Sequence, residues 1–334
     1  MGPRRGVEAM ESRVDGSLGE AVAAMRRGSV AGVADGTLGE LRRLGYRIDV
    51  SGAGARVVGG SDLLLPWELA RGLQTRLLGR RAEYHAEIGS TQDRAVGLAR
   101  AGGADGTVVA AGTQSCGRGR SGRRWESPAG GLWMSVVLGR VAGNAGILPL
   151  AASLALSGAL LGALGERTGL VWPNDIVVDR GGEARKVAGI AVDAEASGGA
   201  LEGAVVGIGV NLNVDEAALD ASIRGAVRRA ASVHGGDRAA ARVAQSFLLN
   251  MELLLPRMGD GARIAGEWER RSGIVGSRVD VRTDPGEVSG TVSGIGPDGE
   301  LVLCCGGEER RLAAGEVLRV APARGGAGPG AESR

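Results

Sequence analysis

Gln114-Ser115-Cys116-Gly117-Arg118-Gly119-Arg120-Ser121-Gly122-Arg123-Arg124-Trp125 sets four arginines among three glycines and closes on a tryptophan. Glycine lets a backbone approach a ligand at little steric cost. Guanidinium groups present fixed forks that match carboxylate and phosphate oxygens. By itself the run fits a solvated basic loop or an RNA-binding tail equally well. Its flanks decide. Upstream, Gly106-Thr107-Val108-Val109-Ala110-Ala111-Gly112-Thr113 reads as a short β-branched strand. Downstream, the turn Ser127-Pro128-Ala129-Gly130-Gly131 leads into Leu132-Trp133-Met134-Ser135-Val136-Val137-Leu138, an almost continuous apolar strand. A cationic loop strung between two buried strands is anchored, and an anchored loop suits a binding site.

Around that loop, from about Ala82 to Gly273, the pattern predicts strands at 82–88, 107–112, 132–138, 169–172, 175–179, 186–194 and 203–209. Helices are expected at 92–102, 147–164, near 215–232, 237–258 and 262–271. Strands outnumber helices, which predicts an α+β domain with a mixed or antiparallel sheet. Toward the N-terminus, Leu18, Val22 and Met25, then Leu38, Leu41 and Leu44, recur at helical spacing. Gly45–Val50 and Gly52–Val58 then read as a hairpin. Helix, helix, hairpin is the order of a winged helix, and also of a small cap packed on the main body. A linker containing Ser61-Asp62 and Pro66 follows.

Past Gly276, Val279, Val281, Val288, Val292, Leu301, Leu303 and Leu312 alternate with polar residues, and Gly296-Pro297-Asp298-Gly299 supplies a turn. That predicts a small β-barrel or sandwich. The tail after Ala321 reads as disordered. The division is therefore 1–60, linker 61–81, 82–273, 274–320 and tail 321–334.

Bulk properties agree with a soluble globular protein. The 334 residues suffice for two or three domains, with 43% hydrophobic and 23% charged residues. A formal charge of +2 is too small to imply nucleic acid by itself. Cys116, Cys304 and Cys305 form neither a disulfide framework nor a zinc motif. Cys116 reads as a small filler in the loop, and His85 and His234 as packed or surface residues. The apolar stretch Gly146–Leu164 holds Ser153 and Ser157 and fits a packed helix better than a membrane span. With no secretory pattern at the start, the expected compartment is the cytoplasm.

Further segments fall in with the loop. Glu87-Ile88-Gly89-Ser90-Thr91-Gln92 ends a strand and opens a helix that Ser90 or Thr91 would cap. In Trp172-Pro173-Asn174-Asp175-Ile176 an amide and an acid follow a proline. Arg185-Lys186-Val187-Ala188-Gly189-Ile190 starts an apolar strand with a lysine, and Gly207-Ile208-Gly209-Val210-Asn211-Leu212-Asn213 ends a glycine-bearing strand with an amide. In combination and order, these segments closely resemble the biotin–protein ligase family over about residues 82–320. Residues 15–58 are similar to the bifunctional ligase/repressor type.

The resemblance implies a class II synthetase-like mixed-sheet ligase domain, a winged-helix-like N-terminal domain and a C-terminal SH3-like β-barrel. It implies an ATP-dependent reaction in which the biotin carboxylate attacks the α-phosphate. The acyl group then passes from biotinyl-5′-adenylate to a lysine of a biotin carboxyl carrier protein. A biotin-sensing repressor without ligase activity and a lipoate–protein ligase are the alternatives. Carried over by position, Ser90, Thr91, Gln92, Gln114, Arg118, Gly119, Arg120 and Lys186 match the biotin-contacting set. Arg120, Arg123, Trp125, Asn174, Asp175 and Asn211 match the nucleotide side, with Asp175 the candidate for arranging Mg²⁺ that travels with ATP. Arg118, Arg120 and Lys186 are the catalytic candidates, since bringing a carboxylate to a triphosphate requires fixed positive charge. Implied partners are the carrier protein, operator DNA and a homodimer, with no membrane. The chain departs from the family at Gln92, usually Asn, and at Val171, usually Lys. Its recognition-helix region, Gly36 to Leu44, offers only Arg42 and Arg43 as basic residues.

Overall fold

The computed structural model describes residues 16–197, 200–217, 219, 230–284 and 286–321. The expected tail after Ala321, residues 1–15 and most of the helix expected near 215–232 lie outside these described residues.

Seven strands make the central sheet: β3 (Ala82–Ile88), β4 (Val108–Gln114), β5 (Leu132–Leu138), β6 (Gly169–Val171), β7 (Asp175–Arg180), β8 (Glu183–Ser197) and β9 (Ala200–Val210). Their order is β3-β4-β5-β9-β8-β7-β6. Only β3 and β4 run parallel; every other pair is antiparallel, so the sheet is mixed as the pattern predicts. Side chains alternate between the two faces. In β4, Val108 and Ala110 join the large core on one face, while Val109 joins Ala95, Val137 and Val205 under α4 (Thr91–Ala101) on the other.

The large core is built on α5 (Ile147–Leu164), which is apolar on every side and buried over most of its length. By length and composition α5 would pass for a membrane span. Here it lies inside the protein, against α6 (Ala239–Leu254) and α7 (Gly261–Ser272). Its two serines are satisfied there. Ser153 donates to the Leu150 carbonyl and accepts from Trp268 Nε1 at 3.0 Å, and Ser157 pairs with Thr168. Gly165, at φ 73°, ends the helix in the left-handed conformation that glycine adopts without strain.

Before the sheet come α1 (Gly16–Arg27), α2 (Asp35–Arg43) and the antiparallel hairpin β1 (Arg47–Ser51) and β2 (Gly54–Gly59). Val22, Met25, Leu38, Leu41 and Tyr46 are buried in the same core as the body. Residues 61–81, read from sequence as a linker, are packed. They carry the short α3 (Pro66–Ala70) and bury Leu64, Leu65, Leu69 and Leu78, because such a run of leucines cannot stay in water cheaply. Glu68 lies fully buried at the junction. Its carboxylate accepts from Arg26 of α1 at 2.7 Å, from Arg238 before α6 at 2.7 Å, and from Tyr46.

The last region forms a five-stranded antiparallel sheet, β13-β12-β11-β10-β14. Its members are β10 (Arg278–Arg282), β11 (Glu287–Ile295), β12 (Leu301–Cys305), β13 (Glu308–Leu312) and β14 (Glu316–Ala321). Val279, Val281, Val292, Leu301, Leu303 and Val317 face inward. The Gly299 carbonyl, in the predicted turn, accepts from Trp172 Nε1 at 2.9 Å and ties this sheet to the body.

Candidate active site

Strand register builds the floor of the site. Trp133 of β5 stands opposite Gly209 of β9, Gly209 opposite Gly189 of β8, and Gly189 opposite Asp175 of β7. The two glycines in this row leave a flat patch of backbone, and the Trp125 indole lies on it. A Cβ at Gly209 would come within 2.5 Å of Trp125 Nε1, and one at Gly189 within 2.9 Å of the ring. Any larger residue at either position would displace the indole. Lys186 Nζ sits over that ring at 5.1 Å from its centroid, a cation–π contact, and pairs with Asp175 Oδ1 at 2.6 Å.

The arginine loop is held at both ends by backbone bonds. Cys116 N–H donates to the Gly89 carbonyl at 2.8 Å, and Trp125 N–H to the Gly117 carbonyl at 2.9 Å. Cys116 itself is exposed. Arg120 Nη1 donates to Asn174 Oδ1 at 3.2 Å, and Asn174 is fixed in turn by donating to the Ile190 carbonyl at 2.7 Å. Burial pulls the Arg120 guanidinium below its ordinary pKa, while Asp175 opposes the fall and Arg123 adds to it. Arg123 pairs with Glu316 Oε1 of the C-terminal sheet at 2.7 Å. Arg118 pairs with Asp93 and stands 3.6 Å from Asp193 Oδ1; the Asp93 bond raises its pKa further.

At the far end a polar chain runs under the start of α4. Ser90 caps the helix by accepting from Asp93 N–H. Thr91 N–H donates to Gln114 Oε1 at 2.8 Å, Thr91 Oγ1 meets Ser135 Oγ at 2.9 Å, and Gln114 Nε2 donates to Ser127 Oγ at 2.7 Å. Gln92, 4% exposed, donates from Nε2 to Asp193 Oδ2 at 2.9 Å and to the Val205 carbonyl at 3.1 Å. Its Oε1 accepts from Ser135 Oγ at 2.9 Å.

Most of these groups line one cavity of about 550 Å³, in the size range of a small-ligand site. Every residue singled out for biotin or nucleotide from sequence lines it: Ser90, Thr91, Gln92, Gln114, Arg118, Gly119, Arg120, Arg123, Trp125, Asn174, Asp175, Lys186 and Asn211. Six cationic side chains, completed by Arg124 and Arg282, face three carboxylates, Glu126, Asp175 and Glu316. The excess positive charge favours anions. Two buried polar atoms of the lining, Trp125 Nε1 and Asn211 Oδ1, have no hydrogen-bond partner among the described residues. Val171 itself is not among the lining residues.

Sequence reasoning missed Ser135, Asp193 and the C-terminal contribution of Arg282, Gly315, Glu316 and Val317. Ser135 and Asp193 left a signal, each the one strongly polar residue in an apolar stretch of strand. Glu316 left none. His85 is buried on β3 and His234 is exposed, both away from the cavity lining.

A family model described as "Biotin/lipoate A/B protein ligase family" matches residues 88–211. The chain is 31% identical over 270 residues to the "Bifunctional ligase/repressor BirA" of Bacillus subtilis, covering 79% of this chain and 82% of that protein. It is 36% identical over 236 residues to the "Biotin--[acetyl-CoA-carboxylase] ligase" of Paracoccus denitrificans, covering 65% of this chain and 92% of that one. Among solved structures it is similar to the biotin protein ligase from Aquifex aeolicus in complex with biotin and ATP. That match has a TM-score of 0.55 and 26% identity, over 71% of this chain and 97% of that chain. With the mixed sheet, the arginine loop and a cationic cavity already in place, these matches establish that the chain belongs to the biotin protein ligase family.

Proposed function

We propose that this chain activates biotin with ATP and passes it to a lysine of a biotin carboxyl carrier protein. One observation carries the reading: Arg118 and Arg120 of the arginine loop and Lys186, far from them in the chain, line the same cavity. A carboxylate and a triphosphate at about 4 Å repel by about 4 kcal/mol per charge pair near a protein surface, so fixed cations must offset that repulsion. Arg120 and Lys186 flank Asp175 and are placed to take the carboxylate and the α-phosphate. Arg118 and the Ser90–Gln92 and Gln114 chain serve the biotin end. Arg123, Trp125, Asn174 and Asn211 serve the nucleotide, Trp125 as a stacking surface.

In the first step a biotin carboxylate oxygen bonds to the α-phosphorus, the bond to the β-phosphate oxygen breaks, and pyrophosphate leaves. In the second, the carrier amine bonds to the acyl carbon, AMP leaves, and the amine proton passes to solvent. The chain supplies no nucleophile. Its work is orientation and electrostatic stabilisation. Among the described residues no three His, Cys, Asp or Glu side chains form a metal-holding group. Mg²⁺ bound with the nucleotide would neutralise phosphate charge, and Asp175 would add one oxygen to it once Lys186 turns to the substrate.

Incubating the chain with an apo-carrier domain, biotin and ATP tests this. Biotin incorporation that requires ATP is the expected result. Incorporation of lipoate in preference to biotin would assign the cavity to the other branch, and no incorporation would leave a sensor.

A second activity is proposed for residues 16–59, as a winged-helix-like unit within a 1–60 domain. The order α1, α2, β1–β2 supports it, as does the likeness to a bifunctional ligase/repressor. The five-stranded antiparallel region from Arg278 is proposed as an SH3-like barrel closing the cavity of the 82–273 body. Since α2 offers only Arg42 and Arg43 as cations, a duplex should be held through few phosphates and with a shallow salt dependence. Duplex binding measured at fixed salt with biotin and ATP present decides. Affinity no higher for an operator than for random duplex would make the unit a cap, and repression and dimer formation on DNA would fall with it.

A further inference from the structure

The geometry points to Asp193 as a positioning residue that fixes which end of the Gln92 amide a ligand meets, and so selects for a cyclic urea. This rests on the ligase reading above. An amide side chain has two chemically opposite ends, a donor pair and an acceptor. At Gln92 the donor end is claimed by two acceptors, Asp193 Oδ2 at 2.9 Å and the Val205 carbonyl at 3.1 Å. The carbonyl end is left over Gly207, where a Cβ would come within 2.4 Å of Oε1, and Gly207 is itself cavity floor. Ser135 Oγ donates to one side of that oxygen at 2.9 Å. A carbonyl oxygen accepts a second bond, so Gln92 offers the cavity an acceptor.

The matching ligand group is an N–H. The cyclic urea of biotin has two, and the dithiolane of lipoate has none. The acceptor thus distinguishes the two substrate classes that share this family's fold. The extra methylene at Gln92 is what carries its amide across to β8. Asp193 reaches Arg118 only at 3.6 Å, and Arg118 has Asp93 as its closer partner, so Asp193 acts chiefly through Gln92. Replacing the carboxylate by an amide removes an acceptor-only group and installs donors. The introduced NH₂ would then compete to turn Gln92 around, so that Gln92 presents its own NH₂ to the ureido N–H.

The test is biotin-dependent exchange of labelled pyrophosphate into ATP by the full chain, for wild type, D193N, D193E, Q92A and the D193N/Q92A pair. D193N is expected to raise KM for biotin about tenfold, roughly one hydrogen bond's worth, with KM for ATP and kcat within about twofold. Desthiobiotin, which keeps the urea and lacks the thiolane ring, should lose by the same factor. D193E, an acceptor still, should recover most of the loss. The pair should be no worse than Q92A alone, since residues that act through one another are not additive. Asp193 is 40% exposed, and equal melting temperatures for wild type and D193N would exclude a folding defect. A KM for biotin unchanged in D193N, or equal losses toward ATP and in kcat, overturns the proposal. Exchange by wild type that does not depend on biotin overturns the ligase reading instead, and this one with it.

Discussion

Replacing Lys186 by alanine is expected to lower biotin-dependent adenylate formation by about 100- to 1,000-fold, the usual effect of removing one preorganised charge at a reacting centre. Lys186 Nζ lies 2.6 Å from Asp175 and over the Trp125 ring, 28% exposed at the cavity wall. Its removal does two things at once. It takes away a cation where two anions must meet, and it leaves the Asp175 carboxylate facing the cavity without its ion-pair partner. Both changes raise the barrier more than they weaken ground-state binding of either substrate alone, so kcat should fall more than KM rises. Arginine at 186 should restore part of the rate, because it keeps the charge while its planar fork fits an ammonium site poorly. Single-turnover adenylate formation, with the melting temperature as control, is the measurement. Activity within threefold of wild type would remove Lys186 from the chemistry.

Replacing Glu68 by alanine is expected to destabilise the fold by about 3–5 kcal/mol, the range for breaking a buried ion pair on one side. The carboxylate is fully buried and its loss strands two guanidinium groups, Arg26 and Arg238, that are themselves mostly buried. Burial alone would raise the Glu68 pKa. The bonds from Tyr46, Arg26 and Arg238 outweigh it and hold the group below its ordinary value. A carboxylate whose folded pKa is depressed stabilises fully above its unfolded pKa and ceases to as pH falls through the folded one. Wild type should therefore lose this contribution on acidification below the ordinary carboxylate range, and Glu68→Ala should show a flatter pH dependence there. Urea midpoints at neutral and acid pH read both effects. A midpoint at neutral pH unchanged by the substitution would show that the knot between α1, α3 and α6 contributes nothing net.

The parts of this molecule that sequence makes legible are those where local chemistry and fold agree. The apolar run of α5 and the strand Leu132–Leu138 mark themselves, since each is buried almost throughout. The arginine loop announces a site because glycine and arginine together suit little else between buried strands. What stayed hidden depends on partners far away in the chain. Asp193 and Gln92 are 101 residues apart, and Glu68 and Arg238 are 170 apart. No local pattern links either pair. Strand β8 runs Glu183–Ser197, well beyond the expected 186–194, because backbone pairing with β7 and β9 carries it through polar residues that periodicity does not register. The segment 61–81 read as a linker because its proline and polar start outweighed leucines whose burial only the assembled core explains.

The most direct test of converging cations uses charge itself as the probe. Binding of biotin and of biotin methyl ester, which keeps every other group but lacks the carboxylate, is measured by calorimetry on wild type, Arg120→Ala and Lys186→Ala. Loss of biotin affinity in both variants with the ester's affinity nearly unchanged is the predicted result. Equal loss for the acid and its ester would mean that these side chains serve shape and not charge, and would contradict it.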